Sequence, residues 1–159
     1  MKVGITGTPG TGKTTAAKHL ENNVISLKEF AVERNHGEQK KLFQIDIEKV
    51  RENLPSHYWI EGHLAHKLDL DYCVVLRTRP EELEKRLDER GYSDEKIREN
   101  VEAEAMDLIL SEASKRDFPV YELDTTEKTA KDVADEIGKA VENKKERTGV
   151  VDWTEFLGL

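Results

Sequence analysis

The sequence predicts an α/β fold in which a five-stranded parallel sheet carries helices on both faces. Five short apolar runs alternate with longer amphipathic stretches, as expected for strands joined by crossover helices. A glycine-rich segment directly follows the first run, as it does where a strand leads through a loop into a helix. The 159 residues suffice for a single domain with one core. The apolar runs are 3–5, 24–27, 58–60, 72–76 and 120–123.

The glycine-rich segment, residues 7–14, reads GTPGTGKT and matches the phosphate-binding loop pattern G-x-x-x-x-G-K-[ST]. Backbone N–H groups of such a turn wrap an anion, and the following helix adds a partial positive charge. We expect Lys13 to reach the β- and γ-phosphates of a nucleotide and Thr14 to bind Mg²⁺. A glycine-rich turn without a ligand is the alternative, but the helix-compatible stretch 14–21 favours the phosphate loop.

Composition and charge narrow the classes of partner. The net charge of −8 argues against general nucleic-acid binding, which depends on excess Lys and Arg, and permits a basic protein partner. Cys73, the single cysteine, lies in an apolar run, where we expect a buried strand residue and no disulfide. No apolar stretch reaches the length of a membrane span, and the loop motif leaves no room for a signal peptide. We therefore expect a cytoplasmic protein that does not contact membranes.

Helix signals fall between the apolar runs. Pro80 suits a first helical position, and Leu83 and Leu87 then share one face. Ser93 is expected to cap the next helix, and Thr126 the last one. The helix after Ser93 is expected to place on one side Ile97, Val101, Ala105, Leu108 and Ala113.

A carboxylate follows the third apolar run, at the end of a predicted strand. Parallel sheets bind ligands at the carboxyl ends of their strands, so Glu61 is placed like the second acidic element of phosphate-loop enzymes, which holds Mg²⁺. The alternative is a solvated strand-end carboxylate. Two residues later, His63 could position a water or a phosphate oxygen, although a single loop histidine is often a bystander.

Arginines suited to phosphoryl transfer follow the fourth run. Arg86 and Arg90 lie one helical turn apart, and Gly91 ends the helix. Guanidinium groups stabilise the charge that spreads over a transferred phosphoryl group. This pattern is typical of a helix–turn–helix lid that delivers Arg90 onto the nucleotide. An exposed, salt-bridged helix end fits the pattern equally well.

Small phosphate-loop kinases bind the acceptor between their second and third strands. The corresponding segment here, 28–54, is charged and poorly periodic. Its candidate anion ligands, which spacing alone does not rank, are Arg34, His36, Lys40 and Lys41. The tail 149–159 contains aromatic residues that we expect to pack back on the domain; a docking segment for a partner is the alternative.

These motifs together resemble the adenylate kinase isoenzyme-six family, also called coilin-interacting nuclear ATPase proteins, in its archaeal branch. The resemblance covers nearly the whole chain. Its Arg-Gly-Tyr and acidic-x-His elements are more specific than the phosphate loop, because other nucleotide kinases lack that combination. The matching segments are 6–15, 61–63, 75–80, 86–93, 96–104 and 149–153.

The resemblance implies one phosphate-loop domain, residues 1–159, with a fold like that of nucleoside monophosphate kinases. It implies an acceptor-binding region at about 26–45, a short lid at about 89–99 and a tail at 149–159. It also implies adenylate kinase and ATPase activities with ATP, AMP and Mg²⁺, and a role in small ribosomal subunit maturation with an S11-type ribosomal protein. The catalytic residues would be Lys13, Arg90 and His63, the metal ligands Thr14 and Glu61, and the ATP ligands Gly10, Gly12, Lys13, Thr14, Thr15 and Arg90.

The acceptor region departs from the family pattern. The family's Gly-Asp-Leu-x-Arg run corresponds to segment 28–32 here, where Val32 replaces the arginine that would hold the AMP phosphate; Arg34 could substitute. Three functions therefore stay open. They are an adenylate kinase with ATPase activity, a nucleotide-switched ribosome assembly ATPase with incidental kinase activity, and a kinase for another nucleoside monophosphate.

Overall fold

The five predicted strands form one parallel sheet. The structure is a computed structural model that describes residues 1–39 and 43–159. The strand order is β2-β5-β1-β6-β7, so the first strand lies at the centre, with the phosphate loop at its carboxyl end. The strands of this sheet are β1 Lys2–Thr6, β2 Val24–Ser26, β5 Tyr58–Glu61, β6 Tyr72–Arg77 and β7 Val120–Asp124.

Helices connect strands of this sheet, and two further strands form a small antiparallel sheet that the apolar pattern did not predict. These two strands are β3 Gly37–Gln39 and β4 Phe43–Ile45. The helices are α1 Lys13–Ala17, α2 Leu27–Glu33, α3 Ile47–Asn53, α4 Pro80–Glu89, α5 Asp94–Ala105, α6 Leu108–Ser114 and α7 Ala130–Glu142, with 3₁₀ turns at Ala65–Lys67 and Thr154–Leu157. In the part of the chain that the structure describes, no helix is long and apolar enough to cross a membrane.

Strand β6 shows how both faces of the sheet are covered. Tyr72, Val74 and Leu76 pack in the core cluster that contains residues of α7, and Cys73 and Val75 pack in the cluster that contains Ala113 of α6. Side chains alternate between the two faces of a strand, so a strand buried on both sides is apolar throughout. The prediction that helices lie on both faces, and that Cys73 is buried, is confirmed.

The first helix and the second strand are shorter than expected. The helical stretch predicted for 14–21 ends at Ala17, and His19 and Leu20 continue in tight turns through N–H bonds to the carbonyls three residues back. Leu27 begins α2 instead of ending β2, because the Ser26 hydroxyl accepts a hydrogen bond from the Glu29 N–H at 3.3 Å and caps that helix.

The long helix predicted after Ser93 is two helices. Ser93 caps α5 as expected, through a bond from the Lys96 N–H at 3.2 Å. The helix then stops, and Asp107 turns the backbone with φ 57° before α6 begins. The side chain of Arg77 binds the Asp107 carboxylate at this turn, and Leu108 is half exposed instead of lying on an apolar face.

The cap of the last helix also differs from the expectation. The hydroxyl of Thr129 caps α7 by accepting a hydrogen bond from the Asp132 N–H at 3.1 Å. Thr126 instead accepts a bond from the Arg79 N–H at 2.9 Å and thereby joins the carboxyl ends of β6 and β7. Both residues satisfy the Thr preference for caps and turns, and sequence spacing alone did not separate the two roles.

Candidate nucleotide-binding site

The glycine loop lies between the carboxyl end of β1 and the start of α1. Gly10 and Gly12 adopt φ values of 94° and 90°, in the left-handed region that favours glycine. A Cβ atom on Gly10 would lie 2.7 Å from Cδ1 of Leu83, so the loop packs closely on α4. A Cβ atom on Gly12 would meet no atom within 4 Å, which leaves this side of the loop open.

Lys13 lies inside the loop. Its Nζ donates hydrogen bonds to the carbonyl oxygens of Gly7 at 2.8 Å and Thr8 at 3.0 Å. Burial lowers the pKa of Lys13 to about 8, assisted by Arg90 and opposed by the charges of Glu61 and Glu104. The ammonium group is thus held by neutral carbonyls, for which an anionic phosphate would be a stronger substitute.

Thr14 and Glu61 form a pair at the mouth of the loop. The Thr14 hydroxyl donates to Oε1 of Glu61 at 3.1 Å, and the Thr14 side chain is exposed. Glu61 is only 5% exposed, which rules out the alternative of a solvated carboxylate. Desolvation raises the pKa of Glu61, and the bond from Thr14 and the charge of Lys13 oppose it. A hydroxyl and a carboxylate oxygen so close together fit Mg²⁺, which prefers oxygen ligands.

His63 is exposed just beyond this pair. Desolvation in the cleft, followed by the charge of Lys13, lowers the pKa of His63, so the imidazole is neutral at pH 7. A neutral imidazole can accept a proton or a hydrogen bond from water. His66, three residues later, is instead buried in the core, and its Nδ1 lies 2.9 Å from the hydroxyl oxygen of Thr6.

A cavity of about 310 Å³ opens beside the loop, between the end of α4 and the start of α7. Arg86 lines this cavity and is bound to the loop, since its Nη1 donates a hydrogen bond to the carbonyl oxygen of Gly10 at 3.2 Å. Arg90 lines the same cavity, and within residues 1–39 and 43–159 no hydrogen bond or ion pair is found for its guanidinium. Within these described residues, Arg90 is therefore not part of a salt-bridged helix end, which was the alternative to a role at the nucleotide. The remaining predicted ligands on the lining are Gly10, Gly12 and Thr15.

The segment predicted to bind the acceptor begins beside the Thr14–Glu61 pair, because Ser26 at the end of β2 is the sheet partner of Glu61. Arg34 lies over the ring of Phe30, 3.8 Å from its centroid, and is about half exposed. His36 lies edge-on to the same ring, with centroids 5.9 Å apart. Val32 is 48% exposed. The candidates Lys40 and Lys41 lie outside the described residues.

A larger cavity, about 770 Å³, lies away from the loop between α4, α5 and the tail. Arg98 lines this groove and not the cavity beside the loop. Phe156 of the tail lines it too, and Trp153 lies 5.0 Å from the guanidinium carbon of Arg77. The expectation that the aromatic residues of the tail pack back on the domain is therefore confirmed for Trp153, whereas Phe156 lines the groove and remains 38% exposed.

Two buried residues beside the loop received no role from the sequence pattern. Glu104 in α5 and Arg77 at the end of β6 are 2% and 1% exposed, and Glu104 accepts a hydrogen bond from Thr8 in the loop. The sequence gives no sign that these two charged residues are buried. They are 27 positions apart, and only the fold brings them together.

Comparison with known proteins agrees with this geometry. A model of the family described as "AAA domain" matches residues 3–107. Two proteins named "Putative adenylate kinase" are similar over 98% of this chain and 94% of their own length: that of Thermococcus gammatolerans is 42% identical and that of Methanocaldococcus jannaschii is 38% identical.

Among solved structures, the chain is similar to shikimate kinase from Acinetobacter baumannii, with a TM-score of 0.59, 15% identity and coverage of 91% of this chain and 94% of that one. It is also similar to deoxyadenosine kinase from M. mycoides, with a TM-score of 0.54, 16% identity and coverage of 89% and 100%. At this identity the two structures establish the α/β fold alone. From the matched model and the relatives, the chain belongs to the AAA domain family and to the same family as these two proteins.

Proposed function

We propose that this protein is an adenylate kinase that converts ATP and AMP to two molecules of ADP. The observation that carries the proposal is the Thr14–Glu61 hydrogen bond of 3.1 Å, which joins the phosphate loop to the strand beside the acceptor region. Donor and acceptor nucleotides would therefore meet at one edge of the sheet. The names of the relatives support the same activity.

The reaction makes few chemical demands on the protein. An oxygen of the AMP phosphate attacks the γ-phosphorus of ATP, and the bond from that phosphorus to the β–γ bridging oxygen breaks. Both products are ADP, and no proton has to be removed because the attacking oxygen is already anionic. The side chains must then hold two anions in line and stabilise the charge on the transferred group.

Lys13 is the principal charge partner in this proposal. Its ammonium group is bound to the carbonyls of Gly7 and Thr8, within reach of an anion cradled by the loop. We infer that it turns from these neutral acceptors to the β- and γ-phosphate oxygens, which bind a cation more strongly. The backbone of Gly10 and Gly12 and the side chain of Thr15 complete the ATP site.

Thr14 and Glu61 are the residues that would hold Mg²⁺. Once bound there, the ion would neutralise charge on the β- and γ-phosphates. Glu61 would supply a buried carboxylate oxygen to the ion. The hydrogen bond from the Thr14 hydroxyl fixes the orientation of that carboxylate.

Arg90 would approach the transferred phosphoryl group from the end of α4. It lines the cavity beside Arg86, which is bound to the loop itself through Gly10. We therefore assign the supporting role to Arg86 and the catalytic role to Arg90. The turn between α4 and α5 would form the lid, residues 89–99, which closes over the nucleotide.

The acceptor phosphate would be bound by Arg34, in place of the arginine that Val32 replaces. Arg34 rests on Phe30, and a guanidinium held flat on a ring keeps its N–H groups available for a phosphate. The region that binds AMP would span residues 26–45. Another nucleoside monophosphate is the alternative acceptor.

ATP hydrolysis would be a second activity of the same site. Water has to be oriented and to lose a proton, unlike the AMP phosphate, and His63 is exposed beside the Thr14–Glu61 pair with a neutral ring. We propose that His63 positions this water.

A second candidate function is a nucleotide-switched factor of small ribosomal subunit maturation, as in the adenylate kinase isoenzyme-six branch. The net charge of −8 and the groove between α4, α5 and the tail favour a basic partner, for which we propose an S11-type ribosomal protein. Among the acidic residues that line this groove are Glu81, Glu84, Asp88 and Asp94.

One assay separates these functions. ADP formation from ATP is measured with AMP, without AMP, and with other nucleoside monophosphates in place of AMP. The release of inorganic phosphate is measured in the same reactions. Transfer to AMP that is faster than phosphate release supports the adenylate kinase. Transfer to another monophosphate alone assigns a different acceptor. Phosphate release that AMP does not change, and that an S11-type protein stimulates, supports the assembly factor.

A further inference from the structure

One buried carboxylate joins the lid helix α5 to the phosphate loop. Oε1 of Glu104 accepts a hydrogen bond from the hydroxyl of Thr8 at 2.9 Å, and Oε2 accepts one from the backbone N–H of Thr78 at 2.8 Å. Glu104 is 2% exposed and Thr8 is also 2% exposed. The two oxygens of a single side chain therefore tie the first turn of the loop to the carboxyl end of β6.

Arg77 keeps Glu104 in place. Its Nη2 donates to the backbone carbonyl of Glu104 at 2.8 Å, and its Nε lies 3.3 Å from Oε1 of the same residue. The guanidinium also pairs with Asp107 at 2.5 Å and Glu122 at 2.6 Å. A buried carboxylate that is paired and hydrogen-bonded in this way has one well-defined position.

The residue that Glu104 holds also holds the catalytic lysine. The carbonyl of Thr8 accepts hydrogen bonds from Nζ of Lys13 at 3.0 Å and from the hydroxyl of Thr11 at 2.8 Å. A shift of Thr8 would displace both of these groups. The backbone carbonyl of Thr8 thus binds the Lys13 ammonium group. The side chain of Thr8 is bound by Glu104, which lies outside the loop.

We propose that Glu104 is a positioning residue for the nucleotide site: it holds Thr8, and through Thr8 the backbone of the phosphate loop, in the geometry that binds the phosphates of ATP, and it fixes the Thr8 carbonyl to which Lys13 is bonded before the nucleotide binds. The inference rests on the proposed nucleotide-binding function but not on AMP as the acceptor. We assign Glu104 a positioning role and no direct contact with the nucleotide, because it is 2% exposed and both of its oxygens bind the protein, at Thr8 and Thr78. Its attachment to α5 also makes the base of the proposed lid part of the loop's support.

The sharpest test removes the link without removing the buried charge. Thr8→Val is nearly isosteric and deletes the hydroxyl that Glu104 binds, and leaves the pairing of Glu104 with Arg77 and Thr78 intact. We expect Thr8→Val to raise the Kd for MgATP, measured by calorimetry, by roughly fivefold or more, because the loop is no longer held in its binding geometry and must be ordered when the nucleotide binds. The melting temperature should fall, because Oε1 of the buried Glu104 loses a donor, but the KM for the acceptor should change little, which a general loss of structure would not explain.

Glu104→Gln leaves one acceptor oxygen where Thr8 and the Thr78 N–H now have one each, so it should weaken the link and MgATP binding in the same direction. The double variant should bind no more weakly than the weaker single one, since both substitutions act on one link. Glu102→Gln is the matched control, because Glu102 is an exposed carboxylate of the same helix and lies outside the proposed lid. An unchanged Kd in Thr8→Val, or losses that add in the double variant, would overturn the proposal. If Glu104→Gln fails to fold, Thr8→Val alone decides.

The same measurements separate this inference from the proposed function. If the wild-type protein binds MgATP but transfers no phosphoryl group to AMP, the adenylate kinase proposal fails, and the Kd of Thr8→Val still tests the role of Glu104. If the wild-type protein does not bind MgATP, both proposals are wrong.

Discussion

The hydroxyl of Thr14 donates a hydrogen bond to Oε1 of Glu61 at 3.1 Å, although the two residues are 47 positions apart in the chain. The sheet creates this contact. Ile5 at the end of β1 pairs with Glu61 in β5, so the loop that leaves β1 passes directly over the carboxylate. Parallel pairing thus places a hydroxyl and a carboxylate at one edge, as expected for strands that end at a ligand site.

The first prediction concerns metal dependence. Thr14→Ala removes one of the two oxygens proposed for Mg²⁺, so the Mg²⁺ concentration for half-maximal activity should rise by roughly tenfold, as when one metal-site partner is lost. Glu61→Ala should depress both transfer to AMP and phosphate release, since both depend on the same ion. A titration of activity against Mg²⁺ at fixed ATP measures the effect. A Thr14→Ala curve that overlays the wild-type curve would rule out Thr14 as a ligand.

The second prediction is that Lys13→Ala loses both activities. The lost contact acts on the charge that develops in phosphoryl transfer, which corresponds to ~3 kcal/mol or more and to roughly a hundredfold in rate. Initial rates of ADP formation and phosphate release measure it. If the variant kept more than half of either activity, the phosphate-loop assignment would be wrong.

A third prediction follows from the buried position of Lys13. Its pKa is lowered from 10.5 to about 8, so the ammonium group loses its proton as the pH rises through that value. Phosphates bind the protonated form, and the affinity for ATP should therefore be constant below pH 7 and fall above pH 8. Calorimetry across this range tests the sign. Lys13→Arg remains charged throughout and serves as the control; if it bound ATP with the same pH dependence as wild type, another group would be responsible.

The strands and the phosphate loop were predictable from sequence because local patterns encode them. An apolar run such as 72–76 is buried on both faces and reads as a strand wherever it occurs, and the loop requires glycine at Gly10 and Gly12 for reasons of backbone geometry alone. The carboxyl end of β5 could also be inferred, and with it the position of Glu61 beside the loop.

What the sequence did not reveal depends on long-range contacts. The expected helix after Ser93 has an unbroken apolar pattern, and it ends early because the side chain of Arg77, from another strand, binds the Glu104 carbonyl and Asp107. The same holds for the buried role of Glu104. Charged residues are usually exposed, and only the fold shows that Arg77 and Glu104 lie beside each other in the core.

The fourth prediction distinguishes a catalytic Arg90 from a structural one. Arg90→Ala should lower turnover and leave the melting temperature nearly unchanged, because an exposed charged residue at a helix end contributes roughly 0–1 kcal/mol. Lys85→Ala is the control, since Lys85 is exposed on the same helix, lies outside the proposed lid and lines the other groove, and should affect neither quantity. Lower stability with normal turnover in Arg90→Ala would make Arg90 structural and the lid proposal wrong.

The last prediction is that hydrolysis and transfer to AMP depend differently on His63. The AMP phosphate is its own anionic nucleophile, but water must be oriented and must lose a proton, which a neutral imidazole can accept. His63→Gly should therefore lower phosphate release several-fold more than ADP formation from AMP. Both rates are measured side by side on each protein, with His19→Gly as the control, because His19 is exposed beyond the end of α1. Equal losses in His63→Gly would mean that His63 supports the nucleotide or the fold, and the separate roles proposed for Glu61 and His63 would have to be withdrawn.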